Sequence, residues 1–371
     1  MKLLFLNLIL TLLFASTHAG LGDVFNSALG KLGLKNVVSD IRTGLKSGGM
    51  KIQDALEKSK GKWTELTDEL FDAALREFKV DVKDDHDKTQ KKGFFKKNLA
   101  KAAELTGKSK NALFGITKFS FMELEEFRKK FMMKPMSVNA IPVGHAKKAG
   151  KNRRKRASSY SVDLRKQGAV SPVRDQEDCG GCWSFATAST METSHYQKTG
   201  KLLDLAEQQL INCDIKDHGC DGGWMGTAYT YAKSNGIPLE SSNPYQARDS
   251  SCSSARGSTV KVLGYTQLSA KDTSSMMNAI DEGYSLSIAL KSGTYDFMYY
   301  NGGILDDPYD CNDSTVDHAV VIVGYGTDSG IPYWIVRNTW GTGWGESGYV
   351  RIRRGINYCN MEMFPFFVDT N

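Results

Sequence analysis

The chain has no cysteine in its first 178 residues and seven after them. It has only eight prolines and six histidines in 371 residues, and beyond its N-terminus it has no long apolar run. Scarce proline excludes a proline-rich scaffold. With 40% hydrophobic and 24% charged residues, collagen-like, wholly disordered and coiled-coil chains are excluded as well. No later stretch approaches about 18 apolar residues, so no stable membrane span is expected. The histidines and cysteines do not cluster at finger spacings, so no metal is expected, and no other cofactor is implied. The length is a soft prior for two domains or a little more.

What is present is unevenly spread. Residues 1–156 carry 32 Lys+Arg against 17 Asp+Glu, an excess of 15 positive charges. Residues 157–371 carry 16 against 25, an excess of nine negative ones. The divide is the run Lys151-Asn152-Arg153-Arg154-Lys155-Arg156. Such asymmetry suits nucleic-acid binding, a membrane arm, or two parts that bind each other. Residues 1–19 favour the last. Lys2, the apolar stretch Leu3 to Phe14, and the small Thr17 and Ala19 at −3 and −1 form a signal-peptide pattern. The competing reading, a buried core helix, is unusual at a chain start. A secretory destination, lysosomal or extracellular, disfavours nucleic acid. It makes the basic run a maturation cut in an exposed linker.

Residues 20–70 hold an amphipathic stripe (Leu21, Val24, Phe25, Ala28, Leu29, Leu32), more simply a packing helix than a membrane-surface one. No function is assigned to it. Residues 71–135 read as helical, with one face of Phe71, Ala74, Leu75 and Phe78 and another of Phe94, Phe95, Leu99 and Ala102. Residues 136–156 read as a Pro/Gly/Lys-rich linker. After residue 157 Gly, Tyr and Trp rise. A helix is expected within 178–199, and short strands at 260–268, 286–290, 319–325, 333–337 and 348–353. Helices first and strands later suggest an α+β arrangement in two lobes. Seven cysteines in an oxidising compartment leave one over, a candidate reactive thiol. Asn312-Asp313-Ser314 is a possible glycosylation acceptor, so Asn312 is a candidate site.

The chemistry concentrates in Gln176-Glu177-Asp178-Cys179-Gly180-Gly181-Cys182-Trp183-Ser184. Cys182 is placed to open a helix, where the dipole favours thiolate. Asp317-His318-Ala319 and Asn338-Thr339-Trp340-Gly341 lie downstream, with His318 136 and Asn338 156 residues beyond Cys182. A nucleophile, a base and an orienter are thereby available. Cys179 and Cys182 are also a C-x-x-C pair, but a redox reading strands five cysteines and leaves His318 and Asn338 without roles.

These segments resemble the papain-like cysteine peptidases, cathepsin L-like branch. The resemblance spans residues 160–364 and includes Ala206 to Cys213, Gly219-Cys220-Asp221-Gly222-Gly223 and Asn338 to Gly345. It implies a helical lobe and an antiparallel β-barrel lobe (157–371) behind a helical inhibitory propeptide (20–156). It implies a cysteine endopeptidase acting through Cys182, His318 and Asn338, with Gln176 in the oxyanion hole and Trp340 shielding the His–Asn bond. It implies disulfides Cys179–Cys220, Cys213–Cys252 and Cys311–Cys359. Gly222 and Gly223 would face the substrate backbone, and Asp317 stands beside the base. Trp224, Met225, Ala289 and Ala319 would wall an apolar pocket for the side chain two before the cut. Implied partners are protein or peptide substrates, the propeptide itself, and cystatin-type inhibitors. The alternative is an inactive relative that binds peptides or proteases without cutting them.

The departures are Gly181 where Ser or Ala is usual, the acids Glu177 and Asp178, and a short segment after Cys359. The propeptide motifs are degenerate. One appears as Asp87, Lys91, Phe95, Asn98, Ala102 and Thr106, the next as Gly115, Thr117, Phe119 and Phe121. Charge complementarity suggests that acid promotes activation.

Overall fold

In the computed structural model the described residues are 66–141, 161–253, 257–311 and 313–371, with 40, 41, 43–46, 52 and 54. The expected signal peptide, the stripe at 21–32, the basic run at 151–156 and Asn312 lie outside them. The chain divides into two compact units, residues 1–81 and 82–371. Within the first, helix α1 (Thr67–Glu77) buries Leu70, Phe71, Ala73 and Ala74, and Ile41, Leu45 and Ile52 are also buried.

The second unit does not begin at the expected maturation cut. Residues 82–141 fold together with 161–371. Helix α2 (Asp85–Lys108) is capped by Asp84, whose carboxylate accepts from the Asp87 N–H at 2.8 Å. Phe95, Asn98, Leu99, Ala102 and Leu105 recur every three or four positions and make its buried face. Strand β1 (Ala112–Phe114), helix α3 (Leu124–Phe131) and strand β2 (Met136–Ser137) follow.

Beyond β3 (Val162–Asp163), helix α4 (Cys182–Thr199) is the central helix of the helical layer. Gly200, at φ +72°, ends it by donating its N–H to the Tyr196 carbonyl at 2.7 Å. Helices α5 (Glu207–Cys213) and α6 (Met225–Asn235) pack on α4, with the short pair β4 (Ile237–Pro238) and β5 (Thr259–Val260) beside them. The sheet layer comprises β6 (Val262–Gln267), β7 (Leu286–Leu290), β8 (Tyr300–Leu305), β10 (His318–Asp328), β11 (Ile331–Arg337), β12 (Tyr349–Arg353) and β13 (Phe366–Thr370). Helices α7 (Thr273–Asp281) and α8 (Tyr295–Tyr299) fill its connections.

The strand order is β1-β8-β12-β11-β10-β7-β13-β6, with β3 also on β10. Only the β8–β12 pairing is parallel, so the sheet is antiparallel-rich rather than wholly antiparallel. β7 is buried along its whole length and β10 over its first nine residues, because α4 packs against β7 and β10 from one side. Burial on both faces explains the continuous apolar run Ala319 to Val323 where alternation would otherwise appear. The basic half contributes β1 to one sheet edge and pairs β2 with β9 (Thr315–Val316).

Candidate active site

Cys182 is the first residue of α4 and is completely buried. It is the one free cysteine among the described residues; the other six close the bridges Cys179–Cys220, Cys213–Cys252 and Cys311–Cys359. The Ala319 N–H donates to Cys182 Sγ at 3.3 Å, which fixes the start of β10 against the start of α4. Burial pushes the Cys182 thiol up to about 12, opposed by backbone donors led by Ala319 and reinforced by the nearby Asp317 carboxylate. Burial likewise pushes His318 down to about 4, against the hydrogen bond that its Nε2 donates to Asn338 Oδ1. With the site covered, thiol and imidazole are both held neutral.

His318 opens β10, and Asn338 directly follows β11. His318 Nε2 meets Asn338 Oδ1 at 2.8 Å, and the Thr339 N–H donates to the same oxygen at 2.8 Å. The other ring nitrogen, Nδ1, is buried with no hydrogen-bond partner. Trp340 stacks on the imidazole, centroids 4.9 Å apart at 24°. Trp344 meets Trp340 edge to face at 4.9 Å.

Gln176 is fixed from three directions. Its N–H donates to the Thr339 carbonyl at 2.7 Å, Thr339 Oγ1 donates to its Oε1 at 2.5 Å, and Tyr245 donates its hydroxyl to its carbonyl at 2.5 Å. Its Nε2 is left to donate to the carbonyls of Cys179, at 2.7 Å, and Phe131, at 2.9 Å. The second acceptor belongs to the basic half, which crosses the site here.

That crossing continues in register. The Met133 N–H donates to the Asp317 carbonyl at 3.0 Å, and the Lys134 N–H to the Asp221 carbonyl at 3.2 Å. Gly222 has φ +125°, and a Cβ on it would lie 2.7 Å from Met133 Cβ. Gly223 has no room either: a Cβ would sit 2.5 Å from the Trp183 ring. Gly222 is favoured by its positive φ and by the crossing Met133, and Gly223 by the side chains packed on it. Ala289 and Ala319 are cross-strand partners. They share one buried cluster with Met225, Met133, Val316 and Phe364, against which Trp224 and Met363 pack. Trp224 also stands edge to face on Phe364 at 5.3 Å. Val316, Met363 and Phe364 were not singled out in the sequence. Val316 stands two residues before His318, a signal that could have been used; Phe364 comes from the shortened segment after Cys359.

Asp317 is nearly inaccessible. Its carboxylate accepts from the Ser292 N–H at 2.7 Å and the Gly293 N–H at 3.2 Å, and Lys291 Nζ lies 3.4 Å away. Burial raises its pKa, while these donors and Lys291 oppose the rise. Lys291 was also missed, because a lone lysine just past a strand carries no motif. The departures have local explanations. Glu177 takes φ +51° and is exposed. Asp178 is exposed and lies 3.8 Å from Lys130. A Cβ on Gly181 would meet Ile211 Cδ1 at 3.0 Å and Cys179 Sγ at 3.2 Å, so a larger residue there forces a neighbour to shift.

Over the Trp340 indole lie two rings from the basic half, Phe119 at 5.2 Å and Phe127 at 5.4 Å, both edge to face and fully buried. The degenerate motif residues hold this cover together. Asn98 Nδ2 donates to the carbonyls of Ser120 and Met122 at 2.9 and 2.8 Å. Phe95 meets Phe121 at 5.4 Å, Asp87 pairs with Lys91, and Thr106 exchanges hydrogen bonds with Phe114 at 3.0 Å. Thr117 Oγ1 donates to the Met298 carbonyl at 2.7 Å. Lys118–Asp175 at 2.5 Å and Lys134–Asp221 at 2.8 Å join the basic half to the acidic half by charge.

Among the described residues no group of three or more His, Cys, Asp or Glu is placed to hold a metal, and no helix is long and apolar enough to cross a membrane.

Fold and sequence together define a cysteine-type peptidase. Residues 158–368 match the papain family of cysteine proteases, and the chain belongs to that family. Among its relatives is digestive cysteine proteinase 2 of Homarus americanus, 37% identical over 65% of this chain and 75% of the relative. Fruit bromelain of Ananas comosus is 35% identical over 80% and 85%. A solved structure of digestive procathepsin L 3 from Tenebrio molitor larval midgut superposes with a TM-score of 0.70 at 33% identity, over 82% of this chain and 99% of that one. That coverage exceeds what residues 158–368 alone supply, so the likeness to a proenzyme extends into the basic half.

Proposed function

We propose that the chain is a self-inhibited cysteine endopeptidase. In this reading residues 20–156 are the inhibitory propeptide, removed near the basic run, and Cys182, His318, Asn338 and Gln176 carry the reaction. One observation carries it best: Gln176 Nε2 already donates to a peptide carbonyl, that of Phe131, laid across the cleft.

Each atom has a step. In the opened site the Cys182 proton passes to His318 Nδ1, the nitrogen that Asn338 leaves unoccupied. The thiolate attacks the scissile carbonyl, forming a C–S bond. Gln176 Nε2 and the Cys182 backbone N–H stabilise the resulting oxyanion. Collapse breaks the C–N bond, and His318 gives its proton to the leaving amine. Water, deprotonated by His318, then attacks the acyl-enzyme; the C–S bond breaks and the acid product leaves. Trp340, stacked on His318, keeps water off the His318–Asn338 hydrogen bond.

The same geometry accounts for inhibition. A substrate would run from the apolar pocket toward the oxyanion donors. The propeptide runs the other way, from Phe131 at Gln176 to Met133 in the cluster of Ala289, Ala319 and Val316. Its peptide bonds are therefore presented in reverse and are not cut. The pocket walls are apolar, which supports a hydrophobic or aromatic side chain two before the cut. Only 24 residues separate Cys220 from Tyr245, leaving no room for a loop that occludes the cleft, so cleavage within chains is favoured over dipeptide removal.

The test compares the intact chain, the processed chain and Cys182→Ala on a fluorogenic dipeptide carrying Phe or Leu. Activity that appears on processing and is absent from Cys182→Ala supports the reading. An intact processed chain that cuts nothing sinks it, in favour of an inactive peptide-binding relative.

A further inference from the structure

The propeptide covers more than the cleft. Strand β1 sits on the free edge of β8, with Ala112 opposite Gly303 and Leu113 opposite Gly302. Two hydrogen bonds extend the ladder: Ile304 N–H to the Asn111 carbonyl at 2.7 Å and Gly115 N–H to the Tyr299 carbonyl at 2.8 Å. The other side of β8 is used by β12. Loss of the propeptide therefore leaves a bare edge in the mature enzyme.

Edges that stay bare are normally defended by charge or proline. This one reads Tyr300-Asn301-Gly302-Gly303-Ile304-Leu305, with neither. It is instead shaped for an incoming backbone. Gly303 has φ +80°, and a Cβ there would lie 2.2 Å from the Asn111 carbonyl oxygen. The seat also selects chemistry. Ala112, Phe114 and Ile116 alternate inward and are buried, while Leu113 faces out. Ahead of them, Asn111 Nδ2 donates to Asp306, Lys108 lies over the Tyr309 ring at 5.4 Å, and Lys101 over Tyr295 at 5.4 Å. Asp307 and Asp310 are exposed beside this rim.

We infer that in the mature enzyme the β8 edge is an exosite for a protein substrate, taking an extended apolar segment preceded by lysine or arginine as an added strand. The mode is β-augmentation, with the ladder giving affinity and the alternate side chains giving selectivity. The inference rests on the proposed removal of the propeptide. Thr117 leads to Phe131 through a chain that includes the eight-residue helix α3. An extended substrate spans the rise of that helix with about four residues, so about ten residues reach the near end of the exosite, and about ten more run along the strand, because a substrate reversed relative to the propeptide enters it at the far end. A tether of that length gives an effective concentration on the order of 1 mM; against a strand affinity of about 0.1 mM it lowers KM about tenfold.

The experiment uses the processed enzyme and two fluorogenic substrates with the same scissile sequence. One is short. The other continues, on the C-terminal side of the scissile bond, through a Gly/Ser linker of about twenty residues into the sequence of residues 108–117. The expected result is a KM about tenfold lower for the tethered substrate at unchanged kcat. The gain should vanish when the tethered segment carries Leu113→Pro, and shrink in enzyme carrying Asp306→Asn or Gly303→Val. Should Gly303→Val fail to fold, the proline substitution tests the same ladder on unmodified enzyme. Equal KM for the two substrates, or a gain that survives the proline, overturns the exosite. A short substrate that is not cut at all fails the proposed function instead.

Discussion

The acidic and basic halves reach definite structures by different means. In residues 161–371 individual atoms are fixed: Gln176 is held at three points, His318 at one nitrogen by Asn338, and Cys182 Sγ by the Ala319 N–H. In residues 82–141 what is fixed is a path. Backbone pairings, buried phenylalanines and lysine–carboxylate pairs hold it, and the side-chain identities are looser. Bond making tolerates little displacement of the reacting atoms. Covering a cleft needs only burial and a backbone route.

That contrast is breakable, and the largest effect belongs to the catalytic side. Cys182→Ala should lower kcat of the processed enzyme by about 10⁵- to 10⁶-fold, read from initial rates normalised to folded protein. Phe119→Ala or Phe127→Ala should act on the cover alone. Each removes a fully buried ring from Trp340, with a loss of about 3–5 kcal/mol, enough for the unprocessed chain to leak activity while the processed enzyme keeps its kcat/KM. An unprocessed chain that stays as silent with either substitution as without it would show that the rings do not hold the cover. Gln176→Ala should reduce kcat about 10²- to 10³-fold with little change in KM.

Acid should separate the halves within a particular window. In the opened site Cys182 and His318 exchange a proton internally, so the pair takes up no net proton on opening and adds no slope at mild pH. The pKa values of Asp87 and Glu104 in the basic half are lowered, first by hydrogen bonds from Lys91 and from Lys108. Their contribution is present above the ordinary carboxylate values and is lost as pH falls through the lowered ones. Propeptide release from the Cys182→Ala chain, followed by size after basic-run cleavage, should be flat from about pH 7 to about pH 5 and rise below about pH 4.5. A midpoint near neutrality would assign the control to an imidazole. The smallest effect is expected from Lys118→Ala: its ion pair with Asp175 is partly exposed, so the cover should loosen by about 1 kcal/mol or less, read as a shift in zymogen Tm.

The same contrast decides what was legible in the sequence. The helix of Cys182, the strand Leu286–Leu290 and most of β10, β11 and β12 were readable, because their apolar runs or β-branched residues are dense. β8 and β13 were not. β8 carries two glycines and weak propensity, and its strand form rests on the neighbours that pair with it on both sides. In the site, residues with a chemical signature stood out, whereas Val316, Met363, Phe364 and Lys291 are ordinary residue types that only folding brings to the cleft. In the basic half the face of Phe95, Leu99 and Ala102 was visible, but Phe94 is only half-buried and Leu105 completes the face instead. The break at residue 81 was invisible, since compactness follows contacts and not charge.

The central claim is that residues 82–141 keep the Cys182 thiol buried and neutral until they are removed. The direct measurement is the rate of iodoacetamide labelling at Cys182 in the intact chain and in the chain processed near residue 157, both at mildly acid pH. The account predicts slow labelling of the intact chain and labelling at least about 100-fold faster after processing, as thiolate replaces a buried thiol. Equal rates in the two forms would contradict it.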